Sequence, residues 1–501
     1  MSQIDLFPKC WSKYQQAVFA AVANPDEGNI VVEALAGSGK TTTIIESLRG
    51  LNLEILLCAF NKRIADELDA KVSKAGIARC DVMTLHGLGY RALQARWKGC
   101  RPDKRVTRRV LERFVPAKHK DHLPGLVKLV EWCKSTLTTT VRGIIEAGKT
   151  LRETDVFDSP KMAAEAAGWV LESMRTACKQ SPEISFDDMV FVPAVMGWSP
   201  AQYDLVVVDE TQDMSSGQLK LATMALRSGG RLVLVGDRNQ AIYGWRGADC
   251  NAMPRMTAEL NARVLPLSIS YRCPKAVARL ARRIVPAFEV PETAIDGDVL
   301  RADIENAEAS WSPGDAVISR VNAPLIGLAL RTLARDIPAR IQGKDVGSGL
   351  KAQLEGFEVH STAELVRAIE RWKTSELEAL EEDQEEIAER ISDQARTLLA
   401  LCDGLKTKRE VLARLELLFS DDGEAVVFSS THRAKGLEWN RVCLLTWTFK
   451  PGRSQEDANL WYVALTRAKR SLLLATSRAE ATSDEEVQYA LHAATRRDIA
   501  A

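Results

Sequence analysis

A glycine-rich run that ends in lysine and threonine occupies residues 34–41, A-L-A-G-S-G-K-T. It matches the phosphate loop G-x-x-x-x-G-K-[ST] except that Ala34 replaces the first glycine. Small residues let consecutive backbone N–H groups surround a β-phosphate, while Lys40 would reach the β- and γ-phosphates and Thr41 would ligate Mg²⁺. A helix predicted from about Thr42 directs its positive end at the same anion. The predicted nucleotide-binding residues are Ala36, Gly37, Ser38, Gly39, Lys40, Thr41 and Thr42.

Two acids end a second apolar run, Leu205–Val208. A carboxylate at the end of a neighbouring buried strand is where a phosphate-loop protein holds the other side of its Mg²⁺. Asp209 would serve the metal, and Glu210 would polarise the attacking water. An acid pair at a strand end is weak evidence alone, and the phosphate loop upstream strengthens it.

A third strand-like run, 232–236, leads into the polar sequence D-R-N-Q-A-I-Y-G-W-R-G from residue 237. Gln240 follows the strand closely and is able to sense a γ-phosphate. Trp245 and Arg246 come next, and an aromatic ring beside an arginine suits stacking on a base and contact with a phosphate in single-stranded nucleic acid. Core packing is the alternative role for this tryptophan.

Short apolar runs that alternate with long helical stretches must position these residues. Most of the runs are continuous in Val, Ile and Leu, which is typical of strands buried on both faces of a parallel sheet. Their alternation with helices predicts an α/β architecture. The predicted strands are 29–34, 53–60, 203–209, 231–237, 315–320, 425–429, 441–446 and 470–476.

The strands form two clusters, and a helix-rich insertion interrupts each cluster. We therefore predict a first α/β domain from 1–87 and 191–270, with the insertion at 88–190. A second α/β domain would comprise 271–344 and 421–501, with a shorter insertion at 345–420.

Charge is balanced overall, with 67 Lys and Arg against 67 Asp and Glu, but it is distributed unevenly. Residues 91–120 hold eleven basic residues against two acids, which suits a surface that follows phosphates or, equally, a solvated helix face. The acidic run 376–389 favours a solvated helix. Ten scattered cysteines without a C-x-x-C pair favour a reducing, cytoplasmic setting, and no run is long enough to span a membrane.

Together with further motifs, these features resemble the UvrD/Rep-type superfamily-1 DNA helicases over the chain up to about residue 475. The resemblance implies two RecA-like parallel-sheet P-loop domains, each with a helical insertion. The matching segments are 14–18 (Q motif), 34–41 (I), 59–62 (Ia), 84–87 (Ib), 209–213 (II), 236–247 (III), 270–274 (IV), 430–439 (V) and 460–468 (VI).

The same resemblance implies a role for each matching residue. Gln15 would read the adenine edge, with Gln16 as a close competitor, and Tyr271 would stack on the adenine. Arg272 and Arg467 would contact the γ-phosphate and join Lys40, Glu210 and Gln240 as catalytic residues, and Glu438 would contact the nucleotide. The implied DNA contacts are Phe60, Asn61, Thr84, His86, Trp245, Arg246, Thr431 and His432.

The activity implied is that of an ATP-dependent DNA helicase that moves 3′→5′ along single-stranded DNA and acts at single-strand/duplex junctions, using Mg²⁺. Hydrolysis would require both α/β domains to close on ATP, since the arginines belong to the second. A translocase that displaces proteins without unwinding is the first alternative. A nucleotide-dependent switch or phosphotransferase is the second, and RNA remains open as a substrate because no residue is identified that rejects a 2′-OH.

Overall fold

The computed structural model describes residues 11–151, 154–198, 201–242, 252–378, 380, 385–419 and 423–477. The chain divides into two compact units. The first holds the described residues up to Leu35 and then Gly39–Ser268, and the second holds Ala36–Ser38 and the described residues from Ile269 onward. Each unit contains one six-stranded sheet in which all neighbouring strands are parallel.

The sheet of the first unit is buried on both faces. Its strands lie in the order β3-β2-β6-β7-β1-β8, and separate apolar clusters cover its two faces. A further short pair, β4 with β5, lies outside this sheet. The strands are β1 Ile30–Ala34, β2 Ile55–Ala59, β3 Cys80–Thr84, β4 Arg101–Pro102, β5 Glu183–Ile184, β6 Tyr203–Val208, β7 Leu226–Gly236 and β8 Arg263–Leu267.

Helices α5–α8 of the first unit form a helical insertion with an apolar core of its own. That core includes the buried side chains Leu126, Phe157 and Val170. The helices are α1 Lys13–Ala23, α2 Lys40–Leu48, α3 Lys62–Lys74, α4 Leu85–Arg96, α5 Val106–Leu111, α6 Leu123–Thr136, α7 Val141–Leu151, α8 Pro160–Ala177, α9 Asp188–Met196, α10 Ser216–Met224 and α11 Ala252–Glu259.

The second unit repeats the architecture with the strand order β11-β12-β10-β13-β14-β9. Its inner strands β10 and β12 are fully buried. The strands are β9 Asp298–Asp303, β10 Ala316–Ser319, β11 Ala339–Ile341, β12 Val426–Ser430, β13 Trp439–Leu445 and β14 Ala468–Thr476.

The helical insertion of the second unit shares its core with the sheet. Leu354, Leu398 and Leu415 from the insertion belong to the same apolar cluster as Val317 and Phe428 from the strands. The helices are α12 Lys275–Ala281, α13 Ile304–Ala309, α14 Ala323–Leu333, α15 Lys344–Gly356, α16 Thr362–Glu378, α17 Glu385–Cys402, α18 Lys408–Leu418, α19 Thr431–Ala434 and α20 Gln455–Leu465.

All eight predicted strands are present, as β1, β2, β6, β7, β10, β12, β13 and β14, and the α/β class with two parallel sheets is confirmed. The prediction missed four strands of the large sheets, and all four lie at sheet edges: β3, β8, β9 and β11. An edge strand has one open side and does not require a continuous apolar run. Among the described residues, no helix is both long and apolar enough to cross a membrane.

Candidate active site

The phosphate loop connects the end of β1 to the start of α2, at the carboxyl end of the first sheet. Gly37 and Gly39 have positive φ angles of 75° and 79°, which glycine adopts without steric cost. Ser38 is buried, and its hydroxyl has no hydrogen-bond partner in the described part of the chain. Ala36 is buried, Thr41 is half-buried and Thr42 is exposed. A buried hydroxyl without a partner in a glycine loop suits an anionic ligand.

Three adjacent strand ends bring the candidate catalytic groups together. Strands β6, β7 and β1 are neighbours and parallel, so their carboxyl ends meet at one edge of the sheet. Asp209 follows β6, Asp237 follows β7, and the loop before Lys40 follows β1. The three charged side chains therefore share one site although they are distant in sequence.

Lys40 forms an ion pair with Glu210, with 3.0 Å between Nζ and Oε1. Burial lowers the pKa of Lys40, but the carboxylates of Glu210, Asp209 and Asp237 outweigh it and raise the pKa above its usual value. Lys40 is therefore fully charged at neutral pH, as a phosphate-binding lysine must be.

Asp209 and Asp237, the two aspartates at the strand ends, are costly to ionise because both are buried. Burial and the nearby Glu210 raise the pKa of Asp209 to about 6, although Lys40 opposes the shift. Burial likewise raises the pKa of Asp237, and Lys40 again opposes it. A cation placed among these groups would relieve the cost of burying their charges.

Gln212 and Asp237, which the sequence analysis did not identify, connect the predicted residues. The Gln212 amide donates to the Glu210 carboxylate, and its Oε1 accepts from the Asp237 N–H at 3.0 Å. Gln240 in turn donates to Asp237 Oδ2 at 2.8 Å. Glu210 has a φ of 54°, an uncommon value for a non-glycine residue. Asp237 was detectable in principle, because it ends its strand as Asp209 does.

The structure separates the two candidate adenine readers. Gln15 is buried beside the start of α2, where its amide donates to Thr43 Oγ1 at 3.2 Å. Its Oε1 accepts from the Ser12 N–H, which completes a capping box at the start of α1. Gln16 is exposed and donates to the Trp11 carbonyl. Only Gln15 therefore lies on the side of α1 that contacts α2.

Residues that fit Mg²⁺ are present at this edge. Magnesium favours hard oxygen ligands and is usually bound through one or two protein groups together with substrate phosphates. The Thr41 hydroxyl in the first turn of α2 and the Asp209 carboxylate supply that chemistry. Among the described residues, no group of three or more His, Cys, Asp or Glu side chains could hold a metal by itself. The donor set fits a metal that arrives with a nucleotide.

The candidate DNA contacts of the first unit follow the two strands beyond β6. Phe60 and Asn61 come directly after β2, and Thr84 ends the neighbouring strand β3, with Ala59 opposite Thr84 in register. Phe60 is 39% exposed, an unusual position for a large apolar side chain. Asn61 and Thr84 cap α3 and α4. His86 follows in α4, where burial lowers its pKa and so favours the uncharged ring. Trp245 and Arg246 lie outside the described residues.

In the second unit, Arg272 and Glu438 form a short ion pair, with 2.6 Å between Nε and Oε2. Burial favours a higher pKa for Glu438, but Arg272 and Lys469 together lower it below its usual value. Tyr271, the preceding residue, is half exposed, as a ring available for stacking must be. The pair therefore fixes Arg272 while leaving its aromatic neighbour accessible.

Arg467 and Thr431 are held differently from the other predicted residues of the second unit. Arg467 is only 1% exposed, and its guanidinium donates to the Val463 and Leu437 carbonyls at 2.8 and 3.2 Å. Thr431 is fully buried and donates to the Ser319 carbonyl, whereas His432, one residue later in α19, is half-buried. His432 is therefore the more accessible of the two predicted DNA contacts.

Comparisons with known proteins identify the family of the chain. The UvrD/REP helicase N-terminal domain matches residues 14–261, and the UvrD-like helicase C-terminal domain matches residues 351–479. The chain belongs to the UvrD/REP helicase family. The two matches cover most of the first unit of this family member and the later part of the second, and the predicted family is confirmed.

Individual relatives of this family member are distant. The F-box DNA helicase protein 1 of Schizosaccharomyces pombe is 24% identical over 92% of this chain and 57% of its own length. The ATP-dependent DNA helicase UvrD2 of Mycobacterium tuberculosis is 24% identical over 89% of this chain and 76% of its own length. The ATP-dependent DNA helicase PcrA of Leuconostoc citreum is 24% identical over 53% of this chain and 38% of its own length. The chain thus spans little more than half the length of the yeast relative.

Proposed function

We propose that this protein is an ATP-dependent DNA helicase that moves 3′→5′ along single-stranded DNA and separates strands at single-strand/duplex junctions. The observation that carries the proposal is the carboxyl edge of the first sheet. The phosphate loop follows β1, Asp237 follows β7, the acids Asp209 and Glu210 follow β6, and Phe60 and Thr84 stand at the ends of the next two strands. This edge supports a nucleotide site beside groups suited to nucleic acid, of which Phe60 is exposed and Thr84 is half-buried.

The roles in hydrolysis follow from charge and position. Lys40 would bind the β- and γ-phosphates, Thr41 and Asp209 would hold Mg²⁺, and the metal would neutralise charge on the phosphate oxygens. Glu210 would orient the attacking water. Hydrogen bonds connect Glu210 through Gln212 and Asp237 to Gln240. If Gln240 contacts the γ-phosphate, this chain would let the phosphate alter the position of Glu210.

We also propose a role for individual residues of the second unit. Tyr271 would stack on the adenine that Gln15 reads, and Glu438 would contact the nucleotide. Arg272 and Arg467 would neutralise the γ-phosphate, a role typically worth about 10³–10⁵ in rate. Because Arg272 is paired with Glu438 and Arg467 with carbonyls, both would exchange these partners for phosphate oxygens. That exchange would couple hydrolysis to a change in the second unit.

Steady-state ATP hydrolysis with and without a single-stranded DNA oligonucleotide tests the proposal. We expect strong stimulation by DNA that fades as salt rises, because phosphate contacts release counterions. Duplexes with a 3′ or a 5′ single-stranded tail then test polarity, and an RNA oligonucleotide tests the choice of nucleic acid. Hydrolysis indifferent to every nucleic acid would exclude the motor and favour a nucleotide-dependent switch.

A translocase that displaces proteins without productive unwinding is the second candidate. The observation that favours it is the insertion at 345–420, whose apolar side chains complete the core of the second unit instead of forming a core of their own. An insertion integrated in this way is poorly suited to act as a large mobile subdomain. Displacement of streptavidin from biotinylated single strands, measured beside strand separation, distinguishes the two: displacement without separation supports the translocase.

A further inference from the structure

Thr43, in the first turn of α2, connects the candidate adenine reader to the phosphate loop. Its side chain is 1% exposed, and that of Gln15 beside it is 5% exposed. The Thr43 hydroxyl lies 3.0 Å from the Gly39 carbonyl oxygen and 3.2 Å from Gln15 Nε2. A Cβ at Gly39 would lie 3.8 Å from the same Nε2. The Gln15 amide therefore packs directly against the end of the loop, through a residue that lies beyond the phosphate-loop motif.

The chemistry of these contacts fixes the direction of each hydrogen bond. A backbone carbonyl only accepts, so the single hydroxyl proton of Thr43 is donated to Gly39. Toward Gln15 the same hydroxyl then only accepts, and the group that faces it must be the amide NH₂. Gly39 thus determines, through Thr43, which end of the Gln15 amide faces α2.

The opposite end of the amide is fixed independently at the start of α1. The Ser12 N–H only donates, and its nitrogen lies 3.1 Å from Gln15 Oε1. The carbonyl end of the amide must therefore face Ser12. Two contacts on different helices demand the same orientation, so the Gln15 amide is held with its donor and acceptor ends in a defined order.

A defined order of donor and acceptor distinguishes adenine from guanine. Adenine presents an N6 donor beside an N7 acceptor, whereas guanine presents two acceptors, O6 and N7. A glutamine amide matches the adenine pair with both of its ends, and its carbonyl would oppose guanine O6. An amide that rotates by about 180° would lose part of this distinction, because its NH₂ could then turn toward O6.

We propose that Thr43 is a positioning residue that sets the preference of this protein for adenine over guanine nucleotides. It acts through Gln15, by accepting from the amide and so preventing its rotation. The inference rests on the role proposed for Gln15 and goes beyond it, since it assigns base selectivity to a residue of α2. A helical threonine often donates to the carbonyl one turn earlier without any further role, so a useful test separates selectivity from stability.

Dissociation constants for non-hydrolysable analogues of ATP and GTP, measured by competition against a fluorescent nucleotide, test the inference on the full chain. The parent should bind the ATP analogue more tightly. Thr43→Val replaces the hydroxyl with a methyl group and should reduce this preference about tenfold, within the range for a bidentate contact between an amide and adenine. Thr43→Ser should keep the parental preference. A fall in the fraction of folded protein affects both analogues equally and leaves the ratio of the constants unchanged.

Two further comparisons separate positioning from a general effect on α2. Ser47→Ala is the matched control, because Ser47 is also buried in α2 but its hydroxyl donates to the Ile44 carbonyl at 2.7 Å, one turn further along the helix. This variant should keep the parental preference. Gln15→Ala should reduce the preference, and the double variant Gln15→Ala/Thr43→Val should reduce it no further, because Thr43 acts through Gln15.

Failure of this inference is distinguishable from failure of the proposed function. If the parent prefers the ATP analogue and Thr43→Val keeps the full preference, the inference is overturned while the role of Gln15 stands. If the parent binds both analogues equally, the role of Gln15 and the inference fail together, whereas DNA-stimulated hydrolysis would still support the motor. Equal losses in Thr43→Val and Ser47→Ala would also overturn the inference, since a general disturbance of α2 would then explain the effect.

Discussion

Lys40 and Glu210, which are both proposed to act in ATP hydrolysis, form an ion pair with each other. The pair holds a fully charged lysine within 3.0 Å of the glutamate proposed to orient water. A phosphate arriving at the loop would compete for Lys40 and release Glu210 toward its substrate. In the proposed mechanism, nucleotide binding would therefore come before the release of Glu210.

Replacing Lys40 with alanine should lower ATP turnover by at least about 10²–10³, the usual cost of removing a preorganised charge at a reacting group. The circular dichroism spectrum should remain that of the parent, because Lys40 lies at the start of a helix and not in the core. Steady-state hydrolysis is the measurement. Lys74→Ala, an exposed lysine in α3, is the matched control. If the variant hydrolysed ATP at the parental rate, Lys40 would not be a catalytic residue.

Glu210→Gln should bind Mg-ATP but hydrolyse it about 10²–10⁴ more slowly, because the amide cannot accept a proton from water. The variant keeps the size of the side chain and loses its charge. Nucleotide retention after rapid gel filtration, compared with single-turnover hydrolysis, separates binding from chemistry. If this variant hydrolysed bound ATP at the parental rate, a residue other than Glu210 would orient the attacking water.

At the scale of elements, the insertions are attached in different ways. The first insertion has its own apolar core, and a buried ion pair, Lys134 with Asp188, joins α6 to α9. The second insertion shares the core of its sheet, and Asp393 in α17 accepts from the Asn322 and Ala323 N–H groups at the start of α14. Ion pairs from Glu389 to Lys450 and Arg453 add a second connection.

Lys134→Met should reduce the free energy of unfolding by about 3–5 kcal/mol, since it leaves the Asp188 carboxylate buried without a counter-charge. Both side chains are 2% exposed, so solvent cannot replace the lost partner. The double variant Lys134→Met/Asp188→Leu should recover much of the loss. Urea unfolding of the parent, the single and the double variant measures this. Equal loss in the single and the double variant would show that packing, not charge, explains the effect.

Glu389 should make the stability of the second unit depend on pH. Burial opposes ionisation, but Lys450 and Arg453 outweigh it and lower the pKa of Glu389 below its ordinary 4.5. The unfolded state therefore binds the proton more readily. The stabilisation is complete above about pH 4.5 and is lost as pH falls through the lower folded pKa.

Urea unfolding of Glu389→Gln at pH 7 and pH 3.5 checks this expectation. The variant should be less stable than the parent at pH 7, and the difference should shrink at pH 3.5. Glu376→Gln, an exposed glutamate of the same insertion, is the control and should differ little from the parent at either pH. A difference that does not change with pH would show that Glu389 acts through packing.

At the scale of the whole molecule, zero net charge conceals a strong local asymmetry. All eleven basic residues between 91 and 120 are exposed. Three of them, Arg91, Arg108 and Arg109, are paired with acids. The remaining positive charge lies on the first unit, where it would raise the local concentration of a nucleic acid.

Removing two of these charges, with Lys98→Gln/Arg101→Gln, should weaken binding of single-stranded DNA and flatten its dependence on salt. Each lost phosphate contact lowers the slope of log K against log salt by about 0.7. Fluorescence anisotropy of a labelled oligonucleotide at several salt concentrations measures the slope. Arg367→Gln/Arg371→Gln on α16 removes the same charge from another surface and should leave the slope unchanged. An unchanged slope in both variants would mean that residues 91–120 form only a solvated face.

The sequence by itself determined which candidate catalytic groups are present and where the central strands of both sheets lie. A phosphate loop, an acid pair and continuous apolar runs are local patterns, and a strand buried on both faces must be apolar along its whole length. The edge strands β3, β8, β9 and β11 were not predicted, because a strand at a sheet edge has one open side and tolerates polar residues. In β8 the edge position tolerates even a proline, Pro266.

Only the tertiary structure decided which distant residues meet. It placed Gln212 and Asp237 between Glu210 and Gln240, put Gln15 and not Gln16 beside α2, and merged the second insertion with the core of its sheet. These relations depend on how strands are ordered and how helices pack, and no local pattern records contacts between segments far apart in the chain.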